Sequence, residues 1–204
     1  MTAPRLGALA KADVREAARL HKAAFPTFFL SELGEPFLRE FYRGFLEPGA
    51  VTLVARSSDN VIIGVVVGHV EPSGFFRRLL VRRWYAFAWA GLGLAVRRPS
   101  VIPRLFRAIS YRGDAPLGAD GALLSSICVA PQAQGTGLGR VLISGWTRGV
   151  VAAGVRSAYL TTDAQDNHDV NAFYESSGWV RTATYRAREG RRMNCYTWQD
   201  ARGS

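Results

Sequence analysis

A run of small residues between a short apolar segment and an amphipathic one constrains this chain more than any other feature. Residues 122–129, ALLSSICV, are mostly apolar, and Pro131 closes them. A segment this short, ended by proline, reads as a buried strand. A small polar loop follows at residues 132–136. From Gly137 the apolar residues Leu138, Val141, Leu142, Trp146, Val150 and Val151 recur at helical spacing, and Gly154 supplies a stop. Residues 158–160 then read as a second strand. The unit is strand, glycine-rich turn, helix, strand, and it has a chemical consequence. Several successive side chains between Gln134 and Gly139 are small, so the backbone can come close to a ligand. The first N–H groups of the helix have no partner within it. With the helix dipole they form an anion site suited to phosphate.

Two common phosphate motifs do not fit. The dinucleotide fingerprint G-x-G-x-x-G meets Arg140 at its last position, and no lysine follows the glycines as a P-loop requires. What fits is Q-x-x-G-x-G, at Gln134, Gly137 and Gly139. This resembles the acyl-CoA pyrophosphate motif of the GNAT family of N-acetyltransferases. The run I-C-V-A-P before it is similar to that family's central strand. After it, Asn167, Phe173, Tyr174, Gly178 and Trp179 are similar to the segment N-x-x-A-x-x-F-Y-x-x-x-G-F. Val170 stands where alanine is usual and Trp179 where phenylalanine is usual, and both keep apolar character. The resemblance is close over residues 122–180 and loose over residues 5–70.

The rest of the chain agrees. Residues 6–11 read as a strand. Asp13 suits an N-cap, and Val14, Ala17, Ala18, Leu20 and Ala24 give an amphipathic helix that ends before Pro26. A second helix is expected over residues 35–46, with Phe37, Leu38, Phe41, Tyr42 and Phe45 on one side. Residues 51–55 and 61–70 read as strands joined at Ser57-Ser58-Asp59-Asn60. Residues 179–188 and 191–198 read as a closing hairpin, turning at Glu189-Gly190. The expected fold is α/β: a mixed, bent central sheet flanked by helices, in one domain over residues 1–204.

Residues 75–111 exceed the minimal pattern. They hold eight arginines, with a ninth at Arg112, and no acid, and so carry nearly all of the formal net charge of +10. Leu79, Leu80, Trp84, Phe87 and Ala88 follow helical spacing opposite Arg77, Arg78, Arg82 and Arg83. A second helix starts at Pro99. The stretch reads as a helical hairpin, apolar on one side and basic on the other. Three uses stay open: a cover over an acceptor pocket, a surface lying on anionic membrane, or a homodimer interface. Its apolar run, residues 84–96, is too short to span a bilayer.

The resemblance implies acetyl-CoA as cosubstrate and assigns roles to residues. Backbone groups of Gln134, Gly135, Thr136, Gly137, Leu138 and Gly139 would hold the pyrophosphate, with charge from Arg140. Ile127, Cys128 and Val129 lie on the strand expected to pair with the pantetheine arm. Asn167 would bond the arm or ordered water, or simply cap a helix. Tyr174 would be the general acid that protonates the departing thiolate, against the plainer reading of a half-buried aromatic. His69 and Glu71, at the end of the third strand, are candidates for the general base. Each is also explicable as a structural histidine and a surface glutamate, and water can do the same work.

Cys128 and Cys195 sit in apolar runs and read as reduced packing residues. His21, His69 and His168 have no metal-ligand spacing, so no metal is expected. The N-terminus lacks a clean apolar core of a signal peptide, which points to a cytoplasmic location, or to the inner face of a membrane. The acceptor is expected to be a small amine. The arginines suggest that it is anionic, and the layout resembles GNAT proteins of surface-polysaccharide pathways, which implies a nucleotide-linked amino sugar. The rivals are an acyl-CoA-binding protein without turnover, acting at a membrane surface, and an acetyltransferase of a protein or an aminoacyl-tRNA. No RNA-binding motif is present, so nucleic acid is not expected as a partner.

Overall fold

The computed structural model describes residues 4–26, 28–75, 119–187 and 190–201, with Arg78, Leu79, Val81, Arg82 and Tyr85. Seven strands form one mixed sheet: β1 (Arg5–Gly7), β2 (Ala50–Arg56), β3 (Ile62–His69), β4 (Ala122–Val129), β5 (Ser157–Asp163), β6 (Val180–Arg186) and β7 (Arg192–Gln199). Their order is β1-β2-β3-β4-β5-β7-β6, antiparallel throughout except for β4 beside β5. Among the described residues the sheet is accompanied by the α-helices α1 (Val14–Ala24), α2 (Phe29–Glu32), α3 (Gly34–Gly44), α4 (Leu138–Ala152) and α5 (His168–Ser176).

Helices α1, α3 and α4 form where the apolar periodicity placed them. Val14, Ala17, Ala18 and His21 make the buried stripe of α1, and Leu38, Phe41 and Tyr42 that of α3. These two helices pack on each other, and α1 lies against β3 and β4. Asp13 stands at the N-cap position of α1 but does not cap it. Its carboxylate accepts from the Ala10 N–H and pairs with Arg56 of β2, so it ties the helix start to the sheet.

Helix α4 covers the opposite face of β2, β3 and β4. Close approach there depends on glycines in β3. A Cβ at Gly68 would stand 2.4 Å from the Trp146 ring, and one at Gly64 would stand 2.7 Å from Leu142. Trp146 donates its indole N–H to the Val51 carbonyl at 2.9 Å, which fixes the helix along the sheet. The hairpin expected at residues 57–60 is present, with Asn60 at φ 65°.

Most of the helical hairpin expected over residues 75–111 lies outside the described residues. Those of its residues that are described, Phe75, Arg78, Leu79, Val81, Arg82 and Tyr85, are helical. Phe75 and Leu79 are buried, and the other four are exposed.

Candidate active site

The glycine-rich loop runs from the end of β4 to the start of α4. A 3-10 turn at Pro131–Ala133 leads into it, and Gly135 and Gly137 adopt φ of 75° and 84°, a region open to glycine at little cost. Among the described residues no atom lies within 4 Å of where a Cβ on either would project, so the loop is open to them on that side. Inside the helix the first backbone bonds run from the Arg140 and Val141 N–H groups to the Gly137 carbonyl. The N–H groups of residues 135 to 139 find no acceptor among the described residues. Successive unbonded donors at a helix N-terminus are what a diphosphate needs, so the chain fits the group. The Arg140 guanidinium donates to Ser176 Oγ at 3.3 Å, tying the start of α4 to the end of α5.

Beside the loop the sheet opens. Strands β4 and β5 pair at two positions only, Ala122↔Ala158 and Leu123↔Tyr159. Beyond these, β4 stays with β3 and β5 stays with β7. The Ala130 N–H donates to Ile63 on β3, so the alternation of an antiparallel ladder turns the N–H and C=O groups of Ile127 and Val129 away from β3, into the gap. Gln134 reaches back and donates to the Val129 carbonyl at 3.3 Å, which holds the loop at the mouth of the gap. A wedge whose wall carries strand groups turned away from their own ladder can accept an extended amide-bearing arm as an added strand.

Tyr174 is buried on α5, with its ring against Phe173, Trp179 and Tyr196. Burial above all, and then the nearby Cys128 and Tyr196, push its pKa well above that of an ordinary phenol. Its hydroxyl therefore stays protonated at neutral pH, as a proton donor must. Helix α5 is held close to α4: a Cβ on Gly139 would stand 3.1 Å from the Phe173 ring.

Asn167 stands at the N-cap position of α5 but does not cap it. Its amide donates to Thr162 Oγ1 at 2.9 Å and to the Asp163 carbonyl at 3.0 Å, so it anchors the helix to the end of β5. Asn171, which the sequence places on the surface, is instead the hub between α5 and the sheet. Its Nδ2 donates to the Asp163 and Asn167 carbonyls, and its Oδ1 accepts from Asn194 and Tyr196, both at 2.8 Å.

The two base candidates differ in setting. Glu71 is exposed. His69 is buried between backbone groups: the Glu71 N–H donates to Nδ1 at 2.9 Å, and Nε2 lies 3.2 Å from the Pro48 carbonyl. An N–H on one side and a C=O on the other fix a single neutral tautomer. Burial lowers the pKa of His69, outweighing the pull of the Pro48 carbonyl in the other direction. Both ring nitrogens are in structural use.

One group escaped the sequence reading. His21 of α1, Tyr42 of α3, and Ser126 and Cys128 of β4 meet under the strand. His21 Nδ1 lies 3.0 Å from Tyr42 Oη, 3.5 Å from Ser126 Oγ and 3.6 Å from Cys128 Sγ. Tyr42 Oη and Ser126 Oγ are each 3.5 Å from Cys128 Sγ. His21, Tyr42 and Cys128 are buried, while Ser126 is half-buried. A signal for it existed: His21 falls on the apolar stripe of α1, where a titratable residue needs a reason. No group of three or more metal-ligating side chains occurs among the described residues.

Residues 108–199 match a family model described as an acetyltransferase (GNAT) domain. No curated protein matches the chain. Several solved structures share its fold. One is a Salmonella typhimurium protein described as an acetyltransferase, solved with its cofactor acetyl-CoA: 15% identity, TM-score 0.61, with 100% of this chain and 98% of that one covered. Another is a point mutant of the spermidine N-acetyltransferase of Vibrio cholerae, at 16% identity, TM-score 0.58 and coverage of 96% and 94%. A third is the ribosomal-protein-S18-alanine N-acetyltransferase of Escherichia coli, at 14% identity, TM-score 0.57 and coverage of 96% and 93%.

Proposed function

The chain carries a GNAT acetyltransferase domain, and from that premise we propose that it moves the acetyl group of acetyl-CoA to a primary amine of a small anionic acceptor, by direct attack in a ternary complex. The observation that carries this reading is the divergence of β4 from β5 beside the unbonded N–H groups of residues 135 to 139. The backbone of the loop holds the diphosphate, with Arg140 adding charge. The Ile127 and Val129 strand groups pair with the arm, and Cys128 sits between them on the same strand. Asn167 keeps α5 seated against β5. Tyr174 gives its proton to the sulfur as the C–S bond breaks. Positioning and charge handling supply the catalysis, and no metal takes part in the scheme.

The acceptor is assigned from charge. The formal net charge of +10 is concentrated in residues 75–111, and Arg78 and Arg82 are exposed there. An arginine-rich face suits a phosphorylated acceptor, and a nucleotide-linked amino sugar combines phosphate with a primary amine. The whole chain, residues 1–204, is taken to work as one domain with this basic segment on the acceptor side. Two of the solved structures that share the fold are, by name, a spermidine N-acetyltransferase and a ribosomal-protein-S18-alanine N-acetyltransferase. A polyamine, a protein or an aminoacyl-tRNA therefore belongs in the same assay.

The test is binding of CoA by calorimetry, followed by thiol release from acetyl-CoA with a panel of amines. The panel includes nucleotide-linked amino sugars, polyamines and peptides. Turnover with an anionic sugar, with a KM that rises on Arg78→Ala and Arg82→Ala while kcat holds, supports the reading. Failure to bind CoA at millimolar concentration removes it. Tight binding without turnover favours a non-catalytic acyl-CoA binder. Salt-sensitive sedimentation with anionic vesicles would then place such a binder at a membrane surface.

A further inference from the structure

His21 and His69 are both buried, yet their neighbours differ in kind. His69 is met by one backbone donor and one backbone acceptor, which suit a single protonation state. Nδ1 of His21 is met by two hydroxyls and a thiol. Each of these groups can donate or accept, so each can turn to suit a bare nitrogen or a protonated one. Among the described residues, groups that face the ring include Phe41 and Tyr42 from α3, Ser126 and Cys128 from β4, and Phe25 and Phe28 from the loop after α1. Two of them titrate, and burial pushes both up: Tyr42 well above the ordinary phenol, and Cys128 to about 11. Both are neutral around pH 7. A charge change in this set therefore falls to the imidazole.

The set also has an open end. Ser126 is half-buried, while its three partners are buried. It lies on β4 two residues before Cys128 and on the same face, one residue from the Ile127 groups that line the gap. Cys128 in turn lies close enough to Tyr174 to act on its ionisation. The set thus stands beside the wedge, with Ser126 as its outlet.

We propose that Ser126 and His21 form a proton relay that deprotonates the acceptor ammonium, with Tyr42 and Cys128 positioning the imidazole. This rests on the acetyl-transfer reading and adds the base that reading lacks. The ammonium gives one proton to Ser126 Oγ, and the Ser126 hydroxyl proton passes to His21 Nδ1. The freed amine forms the C–N bond to the acetyl carbon, and the C–S bond breaks. Tyr174 protonates the sulfur and recovers a proton from the nitrogen, so amide and thiol leave neutral. His21 returns its proton to solvent by the same route, which makes the net release one proton per turnover.

The test compares wild type with Ser126→Ala, His21→Gln and, as control, His69→Gln. Melting temperature and acetyl-CoA affinity report whether each variant is folded. With an alkylamine at pH 7, kcat/KM should fall about tenfold or more in Ser126→Ala and about a hundredfold in His21→Gln. The deficits should shrink as pH rises towards the amine's own pKa, because a neutral amine has no proton to give up. They should shrink likewise for an aromatic amine that is already neutral at pH 7. The control should leave the shape of the pH profile unchanged. Deficits that are equal at every pH, and equal for neutral and cationic amines, overturn the relay.

A second measurement decides the case independently of turnover. In 15N-histidine spectra of the acetyl-CoA complex, assigned by single substitution of the three histidines, His21 Nδ1 should pass from bare to protonated as pH is lowered while the protein stays folded. A His21 ring that stays neutral until the protein unfolds overturns the relay. If wild type releases no thiol with any amine, the acetyl-transfer reading fails, and the spectra still decide the relay.

Discussion

Replacing Tyr174 by phenylalanine separates chemistry from packing, because the structure predicts opposite sizes for the two effects. The ring is buried against Phe173, Trp179 and Tyr196, and phenylalanine keeps those contacts. No hydrogen bond to the hydroxyl occurs among the described residues. Deleting the oxygen therefore orphans no partner, and stability should change by less than about 1 kcal/mol. For a chain of this length that moves the melting temperature by less than about 4 °C. The acetyl-CoA affinity should also hold, since the wedge walls and the loop donors are untouched. Turnover should not hold. A positioned acid contributes about a hundredfold to ten-thousandfold, or about 3 to 5 kcal/mol in the barrier. Thiol release under saturating acetyl-CoA, with melting temperature and calorimetric Kd on the same samples, gives all three quantities. Unchanged turnover refutes the acid role, and a collapse in melting temperature refutes the claim that the hydroxyl is structurally idle.

Four further outcomes follow from particular contacts. Gly139→Ala puts a methyl 3.1 Å from Phe173, and relief means moving α5, which carries Tyr174. Turnover should drop further than acetyl-CoA affinity, with a stability cost of about 1 kcal/mol by thermal melting. Gly137→Ala meets no atom of the described residues within 4 Å but must hold φ near 84°. It should cost about 1 kcal/mol in stability and weaken acetyl-CoA binding by crowding the unbonded donors, as calorimetry would show. His69→Ala removes two bonds to backbone and should cost about 2 kcal/mol, seen as a melting temperature lower by about 4 to 8 °C, while kcat stays within about threefold. Alkaline unfolding tests the buried phenols. Their folded pKa values lie above the unfolded value of about 10, so the stability they give is present below about pH 10 and lost as pH rises through the folded values. Tyr174→Phe should therefore move the alkaline unfolding midpoint, followed by circular dichroism, to higher pH.

The parts of the site that were legible in the sequence are those built from neighbours along the chain. The donor row of residues 135 to 139 needs only a strand end, two glycines and a helix start in succession, and all three are local. The wedge was legible only through resemblance, because a sheet opens between two strands by what each strand does with its other partner. Strand β4 follows β3, and β5 follows β7, and no single segment carries that information. The Asn171 hub was missed for a related reason. Its partners Asn194 and Tyr196 lie on β7, reached only after the chain has turned through β6.

The histidines show where sequence reasoning stops. His21 and His69 look alike along the chain, each a lone imidazole beside apolar residues. His69 gained attention because it ends a strand near the expected acceptor site, yet the Pro48 carbonyl and the Glu71 N–H occupy both of its nitrogens. His21 drew none, because its partners lie 21, 105 and 107 residues away along the chain. They meet only when α1 and α3 settle together on β4. The difference that matters is the hydrogen-bonding character of the neighbours. Backbone groups cannot exchange the roles of donor and acceptor, and hydroxyls and thiols can. Around Nδ1 of His21 the neighbours are of the second kind, so a proton can arrive at or leave that nitrogen without orphaning any of them.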